Sequence, residues 1–209
     1  MKKLVFIILS AAVLFVSCKK DDKKDGTGEI ASAPGYVIDP SASSITWTAY
    51  KTTAKTPVSG KFTQLKVNNP IASETIQGAL NGLDFEIPIA SFFSNNDVRD
   101  NKIKAVFWGV MNNTSFINGT FKHINGDDKS GTATVSITMN QVAKDVTLQY
   151  TIAGNKMTFT GDLMIMDWGI KEAFDSLHKA CEMLHAGDDG ISKTWDEVAI
   201  EAVAVINKK

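Results

Sequence analysis

From Gly35 onward, apolar and polar side chains alternate with a period of two, punctuated by Gly, Asn, Asp and Pro. That period belongs to half-buried antiparallel strands, because a helix needs its apolar residues three and four apart. Ile45, Trp47 and Ala49 alternate with Thr46, Thr48 and Tyr50, and after Pro57 the run from Val58 to Val67 carries Phe62 into a second strand. Leu83, Phe85, Ile87 and Ile89 share one face, with Asp84 and Glu86 opposite. The pattern returns in Ser115 to Phe121, Gly131 to Thr138, Val146 to Ile152 and Phe159 to Met166. A closing strand carries Val198, Ile200, Ala202 and Ala204. Asn118-Gly119, Asn125-Gly126-Asp127-Asp128 and Gly154-Asn155 all tolerate positive φ and are the expected turns.

Six to eight such strands leave sheet edges that must be paired, covered or abolished, and a closed up-and-down barrel abolishes them. The fold class is therefore all-β, an antiparallel barrel. Gly82, Gly161, Ala202 and Ala204 would leave space inside it, or mark bends and close contacts between strands. Two segments break the period. Ser91 to Ala105 is polar and suits a turn and a short helix. Ala173 to Ala186 is a stronger helix, with Phe174, Leu177, Cys181 and Leu184 in one stripe and Gly187 as its stop. Such helices would lie near a barrel mouth.

The N-terminus sets the compartment. Lys2 and Lys3 precede an apolar run from Leu4 to Val16, closed by Ser17-Cys18. The run is shorter than the roughly 20 residues a spanning helix needs, so residues 1–17 read as a signal peptide. Phe15-Val16-Ser17-Cys18 resembles a bacterial lipobox, which implies acylation of Cys18; an ordinary signal peptide with an incidental cysteine is the alternative. Several acyl chains such as palmitate would give stable anchoring. Residues 18–34, charged and then small and polar, read as a tether. Lys and Asp just after Cys18 also resemble the surface-export signal of Bacteroidetes-type lipoproteins. The expected location is the cell envelope, anchored to the outer membrane and facing either leaflet.

About 170 residues then remain, enough for one well-buried domain, residues 35–209. Lys and Arg number 22 against 23 Asp and Glu, interspersed, so no basic stripe invites nucleic acid. Cys181 is the only cysteine besides Cys18, so stability must come from packing rather than a disulfide. The chain has no Gly-x-Ser-x-Gly, His-Glu-x-x-His or phosphate-binding glycine loop, and catalysis is not expected. His178, Cys181 and His185 fall on one side of the second helix and could offer a metal site; the competing reading is a buried cysteine with two boundary histidines. Arg99, Asp100 and Asp167 suit either a polar head group at the mouth or turn caps and a solvated ion pair. His123 stands in a strand-turn region exposed to water.

Several short pieces, in order, resemble the YceI-like domain family, which is similar to lipocalins in fold. They are Tyr36-Val37-Ile38-Asp39 with Ser44-Ile45-Thr46-Trp47; Ser59-Gly60-Lys61-Phe62; Leu83 to Ile89 followed by Ser91, Arg99-Asp100, Ile103 and Phe107; Val142 to Leu148; Asp167-Trp168-Gly169-Ile170; and Asp196-Glu197-Val198. Departures stand at Gln141 to Asp145, at Val106 to Met111, and in a longer, more helical insert before the last strand. The resemblance implies an eight-stranded barrel whose elongated apolar pocket binds an isoprenoid, an isoprenoid quinone or another long-chain amphiphile, without catalysis and with no other cofactor. At about 25 cal/mol per Å² of apolar surface buried, such a chain needs few polar contacts. The expected lining is Trp47, Phe62, Phe85, Ile87, Ile137, Leu148, Phe159, Leu163 and Trp168. Expected partners are that lipid, the membrane through the anchor, and a second copy in a homodimer. Two other readings are a packed barrel displaying interaction loops and a metal-binding or redox-stress protein built on His178, Cys181 and His185.

Overall fold

The computed structural model describes residues 35–112 and 114–209. The expected signal peptide, the lipidated Cys18 and the tether lie outside the described residues. The strands are β1 (Tyr36–Lys51), β2 (Thr56–Phe62), β3 (Lys66–Asn68), β4 (Asp84–Pro88), β5 (Phe92–Phe93), β6 (Phe116–Gly126), β7 (Ser130–Met139), β8 (Val142–Ala153), β9 (Lys156–Met164) and β10 (Thr194–Lys208). Two helices, α1 (Asp97–Val106) and α2 (Lys171–Cys181), interrupt them. The period of two thus decides the class as expected.

All strands join one 10-stranded antiparallel sheet, ordered β3-β4-β6-β7-β8-β9-β10-β1-β2-β5. The count corrects the expected eight, and the excess comes from two interruptions. Residues 63–65 separate β2 from β3, and a 3-10 turn at Ile89–Ser91 separates β4 from β5. β2 pairs with β5 while β3 pairs with β4, so the same two chain segments carry both ends of the sheet order. Across the break, Thr63 N–H donates to Ser91 O at 2.9 Å and Ile89 N–H to Ser115 O at 3.0 Å. These bonds satisfy the backbone where the ladder stops.

Turn chemistry follows the sequence in some places and overrides it in others. Gly154, with φ 61°, turns β8 into β9 as expected. Asn118-Gly119, expected as a turn, instead sits inside β6, where Gly119 pairs with Phe85 of β4 and Ile137 of β7. Its lack of a side chain makes room for the Phe85 ring, which a Cβ would strike. The β7–β8 hairpin turns at Asn140 and Gln141, both at positive φ (50° and 63°). In β1 the register slips between Asp39 and Ser44. The Asp39 carboxylate holds that bulge by accepting from Ser41 Oγ at 2.6 Å, Ser41 N at 3.0 Å and Ala42 N at 3.2 Å.

The interior has two halves. At one end Leu148, Tyr150, Met157, Phe159, Leu80 and Ile206 are almost wholly buried against one another. Tyr150 fills that end without an orphaned hydroxyl, because its OH donates to Asp127 O at 2.9 Å. At the other end Trp47, Phe62, Phe92, Phe107 and Trp108 form an aromatic cluster, with α1 and α2 packed beside it. Gly161 lies against Leu148, Ala204 is itself buried in the packed half, and Gly82 is a positive-φ turn residue, so the expected link between small residues and empty space fails at these positions.

Candidate functional site

The aromatic end of the barrel is not filled. A cavity of about 460 Å³ opens there, within the size range of small-molecule sites. Strands supply Trp47, Ala49, Val58, Phe62, Leu163, Val198 and Ile200; α2 and the turn after it supply Phe174, Leu177, Cys181 and Leu184. Phe92, Phe107, Trp108 and Ile103 extend the wall, and Lys51, Asn96, Arg99, Lys102, His185 and Thr194 are among its polar members. Trp47 stacks on Phe92 with ring centroids 4.8 Å apart, and Trp108 meets Phe92 edge-on at 6.4 Å.

α1 is placed by its caps. Asn96 accepts from Arg99 N–H at 2.9 Å, and Asp97 and Asp100 lie in the first turn, where the helix dipole favours acids. Asp100 is buried and turned away from solvent, its carboxylate accepting from Ser94 N–H (3.0 Å) and from the Ser94 hydroxyl. Arg99 closes the same knot, donating from Nε to Ser94 Oγ at 2.7 Å and from Nη2 to Ser94 O at 2.6 Å. This knot braces the start of α1 beside the cavity. Asp167 lies instead in a 3-10 turn, Ile165–Trp168, between β9 and α2.

α2 was expected from Ala173 to Ala186, but ends at Cys181 and tightens into a 3-10 turn at Glu182–Leu184. Leu184, the last residue of the apolar stripe, is 61% exposed, so little burial is left to hold this stretch in regular helix. Lys102 Nζ donates to Ala180 O at 3.5 Å and Lys51 Nζ to Leu184 O at 3.1 Å, capping carbonyls at the helix end and tying α2 to α1 and β1.

The trio of His178, Cys181 and His185 does not form a metal centre. Both histidine Nδ1 atoms approach the same Thr194 Oγ1, at 2.9 and 2.7 Å, and no cluster of three or more His, Cys, Asp or Glu among the described residues is arranged to hold a metal ion. The helix periodicity aligned the three, but β10 supplies the hydroxyl that claims the two rings. Burial pushes the His185 pKa down to about 4, with the charges of Lys51, His178 and Lys102 adding to it. Burial likewise raises the Cys181 thiol, against the pull of Lys102 and Lys51. His123 lies exposed on β6.

Of the nine expected lining residues, Trp47, Phe62 and Leu163 reach the cavity wall. Leu148 and Phe159 belong to the packed half, and Phe85 and Ile137 pack against both halves, outside the cavity wall. Ile87 and Trp168 are core residues at the open end, outside the wall. Trp168 is held there by donating from Nε1 to Ile137 O at 2.9 Å. The missed residues are chiefly Phe92, Phe107 and Trp108, in the stretch where the strand period breaks. Phe174 and Leu177, two members of the apolar stripe of the second helix, also line the cavity.

The fold is thus an antiparallel β-barrel, filled at one end and open to an apolar chamber at the other. A family model for the YceI-like domain matches residues 36–206, and the chain belongs to that family. No curated protein matches the sequence. Among solved structures, a polyisoprenoid binding domain from Saccharophagus degradans, implicated in plant cell wall breakdown, is similar with a TM-score of 0.61 at 12% identity, over 84% of this chain and 99% of that one. Burkholderia cenocepacia BcnA is similar with a TM-score of 0.55 at 14% identity, over 82% and 99%. The Campylobacter jejuni YCEI protein gives 0.54 at 20% identity, over 73% and 86%. At these identities the likeness is one of fold.

Proposed function

We propose that this chain binds and carries, or sequesters, a long-chain amphiphile of the isoprenoid or isoprenoid-quinone type, without catalysis, and that it does so in the cell envelope while anchored through an acylated Cys18. The observation that carries the reading is the apolar cavity of about 460 Å³ at one end of the barrel. A hydrocarbon chain entering it exchanges water for aromatic and aliphatic walls, at about 25 cal/mol per Å² of apolar surface buried. The family match and the polyisoprenoid binding domain of like fold support the same ligand class. A partly empty barrel also disfavours the packed-barrel interaction module.

The test is lipid mass spectrometry on the full chain purified from a quinone-making host, beside an Ala49→Trp variant whose indole occupies the chamber. A stoichiometric long-chain lipid in the wild type and little in the variant is the expected result; equal, substoichiometric lipid in both overturns the reading. Anchoring is read separately. Cys18→Ser should release the protein from the membrane fraction and abolish labelling by a palmitate analogue, and membrane retention with labelling intact would refute acylation at Cys18.

A further inference from the structure

The charges in the wall of the chamber are of one sign. Lys51, Arg99 and Lys102 belong to it, and none of its residues is Asp or Glu. The whole chain balances 22 basic against 23 acidic residues, so this wall departs from the composition around it. The three cations differ in what surrounds them. Arg99 is bound to Ser94, whose hydroxyl also donates to the buried Asp100 carboxylate, so a counter-charge stands one hydroxyl away. Lys51 and Lys102 form no ion pair among the described residues, where the pairs are Lys55 with Glu197, Lys122 with Asp145 and Lys171 with Asp175.

Both lysines converge on the end of α2. Lys51 Nζ, at the end of β1, donates to Leu184 O at 3.1 Å, and Lys102 Nζ, from α1, to Ala180 O at 3.5 Å. The two carbonyls are four residues apart, about one helical turn. Each ammonium has three donors and commits one of them to its carbonyl. The pair stands at the mouth of the chamber. Val98 and Leu184 line the cavity while remaining 77% and 61% exposed; Val98 lies one turn before Lys102 on the same face of α1, and Leu184 supplies the carbonyl that Lys51 meets. Apolar wall continues from there through Ile103, Leu177 and Cys181. The charges of Lys51 and Lys102 act on the same neighbours: after burial they help lower the His185 pKa to about 4, and they pull the Cys181 thiol down against its burial.

We propose that the ligand is a long-chain amphiphile with an ionised head group, a carboxylate or a phosphate, which Lys51 and Lys102 hold at the mouth while the tail occupies the chamber. The inference rests on the lipid-binding reading and narrows it. A neutral head brings no counter-charge to the two ammonium groups when the tail displaces water beside them. An anionic head accepts charge-assisted hydrogen bonds from their remaining donors, the stronger kind. At the mouth it also keeps part of its hydration, which limits the desolvation cost that a charge deep in the chamber would carry. Carboxylates and phosphates offer the same anionic oxygens, and the experiment separates them.

The full chain, stripped of endogenous lipid, is titrated at pH 7 with two matched pairs: palmitate against methyl palmitate, and farnesyl phosphate against farnesol. Binding of an anionic member about tenfold or more tighter than its neutral partner supports the proposal, and the pair showing it names the source. Lys51→Met and Lys102→Met should each weaken the anion by about three- to tenfold and together abolish the preference, while Lys51→Arg and Lys102→Arg keep it. The neutral ester and alcohol report on the chamber alone, so their unchanged binding shows that the lysine variants still fold. Equal or weaker binding of the anion in both pairs, or a preference that survives the double Met variant, overturns the inference while the carrier reading stands. Failure of all four ligands to bind brings down the carrier reading and this inference with it.

Discussion

The Thr194 hydroxyl has one proton and two imidazole neighbours, so at most one of His178 and His185 accepts from it and the other must donate. Burial keeps His185 neutral, with its pKa lowered from 6.5 to about 4. The unfolded chain therefore binds a proton at this site near pH 6.5, whereas the native state waits until about pH 4. Between those values the unfolded state holds more protons, so stability falls as the pH drops from about 6.5 to 4 and this contribution then levels off. Urea unfolding at pH 7 and pH 4.5 should show a loss of about 1–2 kcal/mol attributable to this ring, after allowance for its partial exposure. His185→Gln should remove most of that pH dependence. Asp39, Asp127, Asp145 and Asp189, whose carboxyls are held below 3.8 by hydrogen bonds, lose their contributions at lower pH, so the two windows separate. Cys181 offers a second residue-scale reading. Its raised thiol pKa and position in the cavity wall predict slow maleimide labelling at pH 7, slowed further when the chamber is occupied.

Strands were the most legible elements, because alternation survives whatever the partner strand is. Their turns were less so. Asn118-Gly119 carries the residue chemistry of a hairpin, yet Gly119 serves as a gap for the Phe85 ring, a partner distant in sequence. The tertiary partner decides. Gly119→Ala should therefore destabilise the fold by about 1–3 kcal/mol through overpacking, not through turn strain. Thermal unfolding checks the size. If the loss is instead relieved in the double variant Gly119→Ala with Phe85→Leu, the clash is confirmed as its source; an undiminished loss would point to the backbone. α2 shows the complementary case: its stripe was readable through Phe174, Leu177 and Cys181, but the lysines from α1 and β1 that meet the carbonyls near its end are tertiary partners that the stripe does not show.

At the scale of the whole barrel, period two says which side chains point inward and is silent about height along the axis. Height is set by register between strands, which is why Leu148 and Phe159, both inward, landed in the packed half while Trp47, Phe62 and Leu163 reached the chamber. The aromatic residues that complete the site, Phe92, Phe107 and Trp108, come from a segment where the alternation stops, so no periodic signal marked them. The two halves should then answer mutation in opposite ways. Phe159→Ala removes a fully buried ring from close-packed neighbours that cannot collapse, and should cost about 3–5 kcal/mol while leaving ligand affinity of the folded protein intact. Ala49→Trp adds volume where the chamber already offers about 460 Å³, so its ring displaces no protein atoms wholesale and its destabilisation should stay below that of Phe159→Ala. Its ligand binding should be lost. Chemical denaturation and lipid titration on both variants measure the two quantities independently. A barrel whose ends are uniformly packed would show the stability loss for both and the binding loss for neither.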